Sequence, residues 1–546
     1  MTGMRFPGWA AIRRDLPRLV LGVERAGVAV ELAGQAFTLA AGDPAYFSLG
    51  RELLLWNWRR RPLNVRAAAQ LFALERIVPF PPGRMKNLLA ALAALGPPAG
   101  TSGHPGAPAP EDGPGAALAF LEKAAGSPEA FLVRLPLVME TLEEAGAHFA
   151  LWELCARVPW DGPFAPLGPR LAAESAFFTR PPSEALRALA KTDPEIFDGW
   201  TGLFRAALVE NMGGREEAAG LFAALSARLP WHPGLRLLAR AKRDPGPAPL
   251  ARDPGAAVLV YAWNNAPCLE KTLAGLLASD LGGCPVICLD NGSTDDTAAL
   301  LAAARDRYAG RIEVVTLPVN VGAPAARNWL LRLPQVRDRA FAAFVDDDAF
   351  LPPDWLAFLH GALSRHPGAG AAGCRVVDAA RPWRMQSADM FVLPPQALAE
   401  DEPDQPRENA GFDIFDPSTR QPDPGLFAYS RPCLSVTGCC HLLRREALVA
   451  AGPFDLRFSP SQFDDFERDL RAFLAGFPCV YEGRLTASHA GGAAGTPTPG
   501  KLANAKGNRV KLEALYPPQV IEKASEEGLR LAWEDFLEPG ERDGAP

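Results

Sequence analysis

Between residues 256 and 345, four short apolar runs alternate with segments of helical periodicity. The runs lie at 257–261, 286–289, 312–317 and 341–345, and the helical segments near 267–279, 294–308 and 323–333. Such alternation implies βαβ units and a mainly parallel, Rossmann-like sheet, so the chain is read as α/β in this part. In open sheets of this kind the ligand sits at the carboxyl ends of the strands. The polar residues directly after each run are therefore where chemistry is expected.

Those strand ends carry a consistent set of groups. The first reads Tyr261-Ala262-Trp263-Asn264-Asn265, and the second Asp290-Asn291-Gly292-Ser293-Thr294-Asp295. The third is followed by Asn320-Val321-Gly322 and then Ala326-Arg327-Asn328; the fourth ends in Asp346-Asp347-Asp348. Ser293 or Thr294 suits the cap of the next helix. A cap does not need Asp290, whose carboxylate can accept from a nucleobase N–H. Three adjacent carboxylates at 346–348 repel one another and are costly without a cation. Mg²⁺ or Mn²⁺ binds through one or two carboxylates plus substrate phosphates. Read alone, the triplet also suits an exposed acidic turn.

The rest of the chain is organised differently. Residues 1–95 and 116–242 have helical patterning, separated by the Pro/Gly-rich stretch 96–115. That stretch reads as a linker. Arg59, Arg60 and Arg61 read as a solvated helix end. Residues 197–233 weakly resemble one tetratricopeptide helical hairpin, with Gly213-Gly214 as the turn, but one copy does not make a repeat array. A second linker, 243–255, precedes the α/β part, and 493–546 forms a C-terminal extension whose stretch 501–530 looks helical.

Composition excludes several classes. Against 56 Lys+Arg stand 63 Asp+Glu, a formal net charge of -7, which carries no basic surplus for nucleic acid. Nine cysteines in 546 residues, with no CxxC pair, are too few for a disulfide scaffold and suit reduced thiols. No apolar run reaches the roughly 18 residues of a spanning helix, and the arginine-broken N-terminus is not expected to act as a signal peptide. A cytoplasmic protein is expected, with peripheral contact to the inner face of the membrane left open.

Taken together, VLVYAWNN, CLDNGSTDDT, NVGAPAARN, FVDDDAFLPPDWL, GCCHLLRREAL, GPFD, FDDFERDLRAFLAGF and SHAGG resemble, in order and spacing, the inverting family 2 glycosyltransferases of the GT-A fold. The resemblance covers roughly 256–492 and leaves out the helical N-terminal half. It implies a nucleotide-diphosphate sugar donor and a divalent cation, Mn²⁺ or Mg²⁺. It places a DxD motif on Asp346 and Asp348, with Asp346 contacting the ribose or supporting the metal site, Asp347 between them at the donor and Asp348 as main metal ligand. His489 falls where the family has a third metal or diphosphate contact, beside Gly491-Gly492. Asp290 would hold the base, with Asn291 and Gly292 nearby. Tyr261, Trp263 and Asn264 occupy the loop that packs on the nucleotide, where VYAWN replaces the common IPTYN. Asn320, Gly322 and Arg327 would face the donor from the third strand end. Asp465, after Asp464 in place of the usual Glu, aligns with the general base. Inversion needs such a carboxylate to take the acceptor hydroxyl's proton. His441 reads as an ordinary strand position, and Lys501 and Lys506 as a solvated face.

The polar stretch within 378–432 matches the family poorly and is expected to shape acceptor choice. Glycan, lipid-linked and protein acceptors all remain open, and the N-terminal helices could dock a protein partner. Two other readings stand beside this one. A catalytically inactive scaffold is disfavoured by the retained DDD, Asp465 and His489. A nucleotidyltransferase would carry a Gly-rich phosphate loop near the first strand, and YAWNNAP has no glycine.

Overall fold

The computed structural model describes residues 5–25, 27–77, 83–96, 106–308, 310–395, 411–418, 422–491, 499–538 and 541. The chain divides into two compact units: residues 1–243 with 420–426, and residues 244–419 with 427–546.

The described elements of residues 5–243 in the first unit are all helices, joined by turns and loops. The hairpin region forms helices Trp200–Asn211 and Arg215–Arg228. Gly213, at φ +88°, makes the turn, and a Cβ on Gly202 would lie 2.8 Å from Arg228 Nη2, so the two helices approach closely there. Trp200, Leu203, Ala207, Ala218, Phe222 and Leu225 are all buried. The arginine run is not the solvated end its sequence suggests. Arg59 Nε donates to Ile196 O at 2.9 Å and Arg60 Nη1 to Glu24 O at 3.2 Å, because carbonyls at the ends of neighbouring segments need donors. Arg170 is wholly buried, 3.3 Å above the Trp200 ring and 2.7 Å from Glu174 Oε2. Helix Gly113–Glu122 begins inside the stretch read as a linker, while 97–105 lie outside the described residues.

The second unit is built on one mixed sheet. Its strands are β1 (Ala256–Ala262), β2 (Val286–Asp290), β3 (Ile312–Thr316), β4 (Phe341–Asp346), β5 (Ala349–Phe350), β6 (Ala371–Asp378), β7 (Met385–Ser387), β10 (Ser430–Cys433), β11 (Cys440–Arg444) and β12 (Cys479–His489). The order is β10-β12-β6-β11-β4-β1-β2-β3, with β5 on β12 and β7 on β6. The expected alternation is present: β4, β1, β2 and β3 run parallel, joined through helices Ala266–Ala278, Thr297–Arg307 and Ala323–Leu331. The other half is antiparallel apart from β12 on β6.

β1 is buried on both faces, as a parallel strand covered by helices must be. The helix after it buries Leu269, Thr272, Leu273, Leu276 and Leu277, a one-sided stripe at helical spacing. That stripe meets Trp355, Leu359 and Leu363 over the sheet. A second cluster joins helix Asp464–Leu474, through Phe466, Leu470 and Phe473, to Leu512 and Ile521 of the C-terminal helices Pro499–Leu515 and Pro518–Phe536. Each such buried side chain contributes about 1.5–3 kcal/mol. The 243–255 stretch is anchored here, with Asp244 Oδ1 2.7 Å from Arg484 Nη1.

The poorly matching stretch is not all loop. It supplies β7 and a small separate sheet of β8 (Phe391–Leu393) and β9 (Asp413–Phe415). Residues 396–410 and 419–421 lie outside the described residues. All nine cysteines are free, eight of them buried. Among the described residues no helix is long and apolar enough to cross a membrane.

Candidate functional site

Register decides which strand ends meet. Tyr261 pairs with Asp346 across β1 and β4, and Ala262 with Asp290 across β1 and β2. The three parallel strands thus end within one residue of one another, bringing Tyr261 and Asp346 level and Asp290 one residue beyond them at the carboxyl edge. The Tyr261 hydroxyl lies 3.4 Å from Asp346 Oδ1, and burial raises its phenol far above the ordinary range.

The acidic triplet does not act as a uniform cluster. Asp346 N–H donates to Cys439 O at 2.9 Å, fixing the end of β4 against β11. Asp347 turns the other way: its Oδ1 accepts from Asn265 Nδ2 at 3.0 Å, and its carbonyl accepts from Thr272 Oγ1 at 2.9 Å. Burial pushes the Asp347 carboxyl up to about 7, with Asn265 opposing and Asp348 and Asp346 adding to the shift. Asp347 therefore ties the turn to the β1 loop.

Asp346 and Asp348 face His489, which arrives from far along the chain. β12 breaks register between Glu482 and Thr486, then continues beside β5 and β6, pairing His489 with Ala349 and Asp378. Gly483 makes this passage, since a Cβ would sit 2.2 Å from Phe427 O. His489 Nε2 is 3.0 Å from Asp348 Oδ1 and 3.9 Å from Asp346 Oδ2. Its Nδ1 faces Gln386 Oε1 at 2.8 Å, and Gln386 Nε2 donates to His489 O at 2.8 Å.

The ligand atoms of Asp346, Asp348 and His489 lie within 4.8 Å of one another. Two carboxylates and an imidazole held from its far nitrogen fit a divalent cation. Electrostatics agree with the donor set. Burial drives Asp346 toward its neutral form against Arg327 and His489, with Asp348 and Asp465 adding to it. For His489 burial opposes protonation, but Asp348 and then Asp346 outweigh it and raise the imidazole. A dication would satisfy both carboxylates as anions.

The β2 and β3 ends form an interlocked rim. Asp290 is buried, and its Oδ1 accepts from Ser293 N at 2.9 Å. Asn291 Nδ2 donates to Asn320 Oδ1 at 3.0 Å, and Asn291 Oδ1 accepts from Val321 N at 3.0 Å. Asn320 Oδ1 also accepts from Gly322 N at 2.8 Å. Asn264, at φ +53°, accepts on Oδ1 from Thr294 N at 2.7 Å and Asp295 N at 3.3 Å. These three asparagines hold the loops that border the site. Gly292 (φ +70°) has no room for a Cβ, which would fall 2.4 Å from the Val319 carbonyl carbon. Gly322 (φ +83°) packs on Pro460. Trp263 stands half exposed above this rim.

Arg327 joins the strand-end row to the helix that follows Phe463. It is 5% exposed, with Nη1 2.6 Å from Asp464 Oδ2 and Nη2 3.6 Å from Asp346 Oδ1. Its guanidinium lies 5.3 Å from the centroids of Tyr261 and Phe454, close enough for cation–π attraction. Burial pushes the Asp464 carboxyl up to about 6 despite Arg327. Next to it, Asp465 is half-buried; Oδ2 accepts from Gly438 N at 2.8 Å and Oδ1 from Phe466 N at 2.8 Å. Gln462 and Phe463 enter this helix at φ +83° and +66°. Two successive non-glycine residues there store strain directly before Asp464, at the start of the helix that carries Asp465.

Sequence reasoning passed over Gln386, Asn265 and Gly438. Gln386 lies in the stretch that matched poorly, and only its place on a strand could have flagged it. Asn265 was visible in the strand end but has no pattern of its own.

Residues 257–450 match the family described as glycosyl transferase family 2. A stretch of 96 residues is 33% identical to the uncharacterized glycosyltransferase YaiP of Escherichia coli (strain K12), covering 18% of this chain and 23% of that one. The chain therefore spans under a quarter of that relative's length. Among solved structures, the mannosyltransferase PcManGT from Pyrobaculum calidifontis, in complex with GDP-Man and Mn²⁺, is 18% identical, with 62% of this chain and 85% of that chain covered and a TM-score of 0.35. GalNAc-T7 with UDP, GalNAc and Mn²⁺ is 11% identical, with 48% of each chain covered and a TM-score of 0.36.

Proposed function

We propose, from the match of residues 257–450 to glycosyl transferase family 2, that the protein moves a glycosyl group, with inversion, from a nucleoside-diphosphate sugar to an acceptor hydroxyl. One observation carries the reading. Arg327 touches both Asp464 and Asp346, so the helix bearing Asp465 starts beside the Asp346–Asp348–His489 cluster. An inverting transfer needs these two parts side by side.

Asp346, Asp348 and His489 would hold Mn²⁺ or Mg²⁺, which when bound offsets charge on the diphosphate. Tyr261 and Asp290 face the nucleoside from the row of strand ends, while Asn264, Asn291, Asn320, Gly292 and Gly322 shape its rim. Asp347 and Arg327 position the turn and the helix. Asp465 takes the proton of the acceptor hydroxyl. The acceptor oxygen bonds to the anomeric carbon from the face opposite the diphosphate, the anomeric C–O bond breaks, and the nucleoside diphosphate leaves with the electron pair. A carboxylate has about four lone-pair sites. Two backbone bonds on Asp465 leave room for the hydroxyl. The acceptor is a glycan, a lipid-linked glycan or a protein hydroxyl.

The test is thermal stabilisation by UDP-, dTDP- and GDP-sugars with Mn²⁺ or EDTA, followed by product analysis. A metal-dependent shift for one donor, lost in Asp348→Asn, with nucleoside diphosphate released, is expected. Asp465→Asn should keep the shift and lose turnover by about 10²–10⁴. Release of pyrophosphate, or no shift with any donor in folded protein, overturns the reading.

A further inference from the structure

Helix Asp464–Leu474 carries a further carboxylate, wholly buried, one turn beyond the base. Asp469 is wholly buried, and its Oδ2 accepts from Ser435 Oγ at 2.9 Å, with Val436 N at 3.4 Å. Asp465 Oδ2 accepts from Gly438 N at 2.8 Å. Residues four apart on a helix share a face. Two aspartates on one face therefore grip the same short stretch, 435–438, at its two ends.

Contact at the Gly438 end is close. A Cβ there would lie 2.7 Å from Asp465 Oδ2, 2.9 Å from Asp465 Cβ and 3.0 Å from Arg327 Nη2. The backbone at 438 is thus laid directly against the base, and a small shift of 435–438 displaces the N–H that orients it.

The other oxygen of Asp469 is 3.4 Å from Arg468 Nη1 and 3.5 Å from His441 Nε2. His441, Asp469 and Cys479 bring ligand atoms within 4.8 Å of one another, and His441 Nε2 has no hydrogen-bond partner. A metal is nevertheless a poor occupant. Arg468, wholly buried, already faces Asp469. A dication would add uncompensated positive charge in the interior, the costly case. The cluster is better balanced as an ion pair. Buried ion pairs are weak sources of stability, since apolar replacements often serve as well. What this one supplies is position.

We propose that Asp469 is a positioning residue for the base: by pinning 435–438 through Ser435 it keeps the Gly438 N–H on Asp465 and fixes that carboxylate toward the acceptor hydroxyl. The inference rests on Asp465 being the base, so it needs one readout that does not depend on turnover. Hydrogen-exchange mass spectrometry of a peptide spanning 434–440 supplies it. Ser435→Ala removes one bond and strands no charge; Asp469→Asn removes the charge. Both should exchange this segment about tenfold faster, and both should lower kcat for transfer about tenfold with the donor KM within about twofold, the scale set by loss of one buried hydrogen bond. A role in general stability would instead lower thermal stability and leave kcat of the folded fraction intact. Unchanged exchange in Ser435→Ala overturns the proposal, as does faster exchange with unchanged kcat. One equivalent of zinc on the purified protein, lost in Cys479→Ser, overturns the ion-pair reading. If wild type itself does not transfer, the proposed function fails while the exchange result still reports on the link.

Discussion

Arg327 Nη1 lies 2.6 Å from Asp464 Oδ2, across 137 residues of sequence, and the same guanidinium reaches Asp346 Oδ1 at 3.6 Å. One fork thus joins the end of β4 to the helix that carries Asp465. Both partners of the tighter pair are nearly inaccessible to water. Removing either leaves an unpaired charge in the interior, which typically costs about 3–5 kcal/mol. Arg327→Met should therefore lower the urea midpoint strongly, and adding Asp464→Leu should recover much of the loss. Arg327→Lys keeps the charge but not the two-pronged reach. Denaturation of the single and double variants checks this: if the double variant is no more stable than Arg327→Met, the pair is not the reason.

His489 is oriented from behind by Gln386, through Nδ1 at 2.8 Å. Such partners of a ligating imidazole commonly carry 10–100-fold in metal affinity. Gln386→Leu should weaken Mn²⁺ binding by about that factor with the fold intact. Asp348→Asn should weaken it more. Isothermal titration with Mn²⁺ reads both, and equal affinity in Gln386→Leu and wild type would dismiss the orienting role.

The sites differ in how far the sequence exposes them. The four strand ends are legible because short apolar runs bounded by Asn, Asp and Gly leave little room for other elements. Their register is not: nothing in 261 or 346 says that these two residues stand level. Arg327 shows the limit plainly. Its sequence position puts it on the helix after β3, which suggests a residue facing the donor, but which face it uses depends on Asp464. Arg59 and Arg60 fail for the same reason, since their carbonyl partners lie at Ile196 and Glu24. His489 is found only through its resemblance to a motif, because the break in β12 that delivers it has no periodicity to read.

Gly292 and Gly220 make a matched pair of tests. At Gly292 a Cβ meets backbone at 2.4–2.7 Å and φ is +70°, whereas at Gly220, inside helix Arg215–Arg228, nothing lies within 4 Å. Gly292→Ala should destabilise by about 1–3 kcal/mol through strain and reduce any donor-induced thermal shift. Gly220→Ala should stabilise by roughly 0.5–1 kcal/mol, since alanine is the better helix former. Thermal melts of the two variants should move in opposite directions.

Acid sensitivity of the helical unit should centre on Glu24. Its carboxylate is buried, 3.1 Å from His232 Nε2, and accepts from Val23 N at 2.9 Å. Burial alone would raise it, but His232, Arg60 and the Val23 N–H outweigh burial and lower it from 4.5 to about 2. A carboxyl depressed in the folded state stabilises above its unfolded value and loses that contribution as pH falls through the folded value. The window is thus from about pH 4.5 down to about 2, and the contribution is on the order of 3 kcal/mol. Trp56, whose ring centroid is 4.5 Å from that of His232, offers a local fluorescence signal. Urea unfolding followed there should show wild type losing more stability between pH 5 and pH 2.5 than Glu24→Gln, which has no charge to lose. Parallel losses in the two proteins would place the acid response elsewhere.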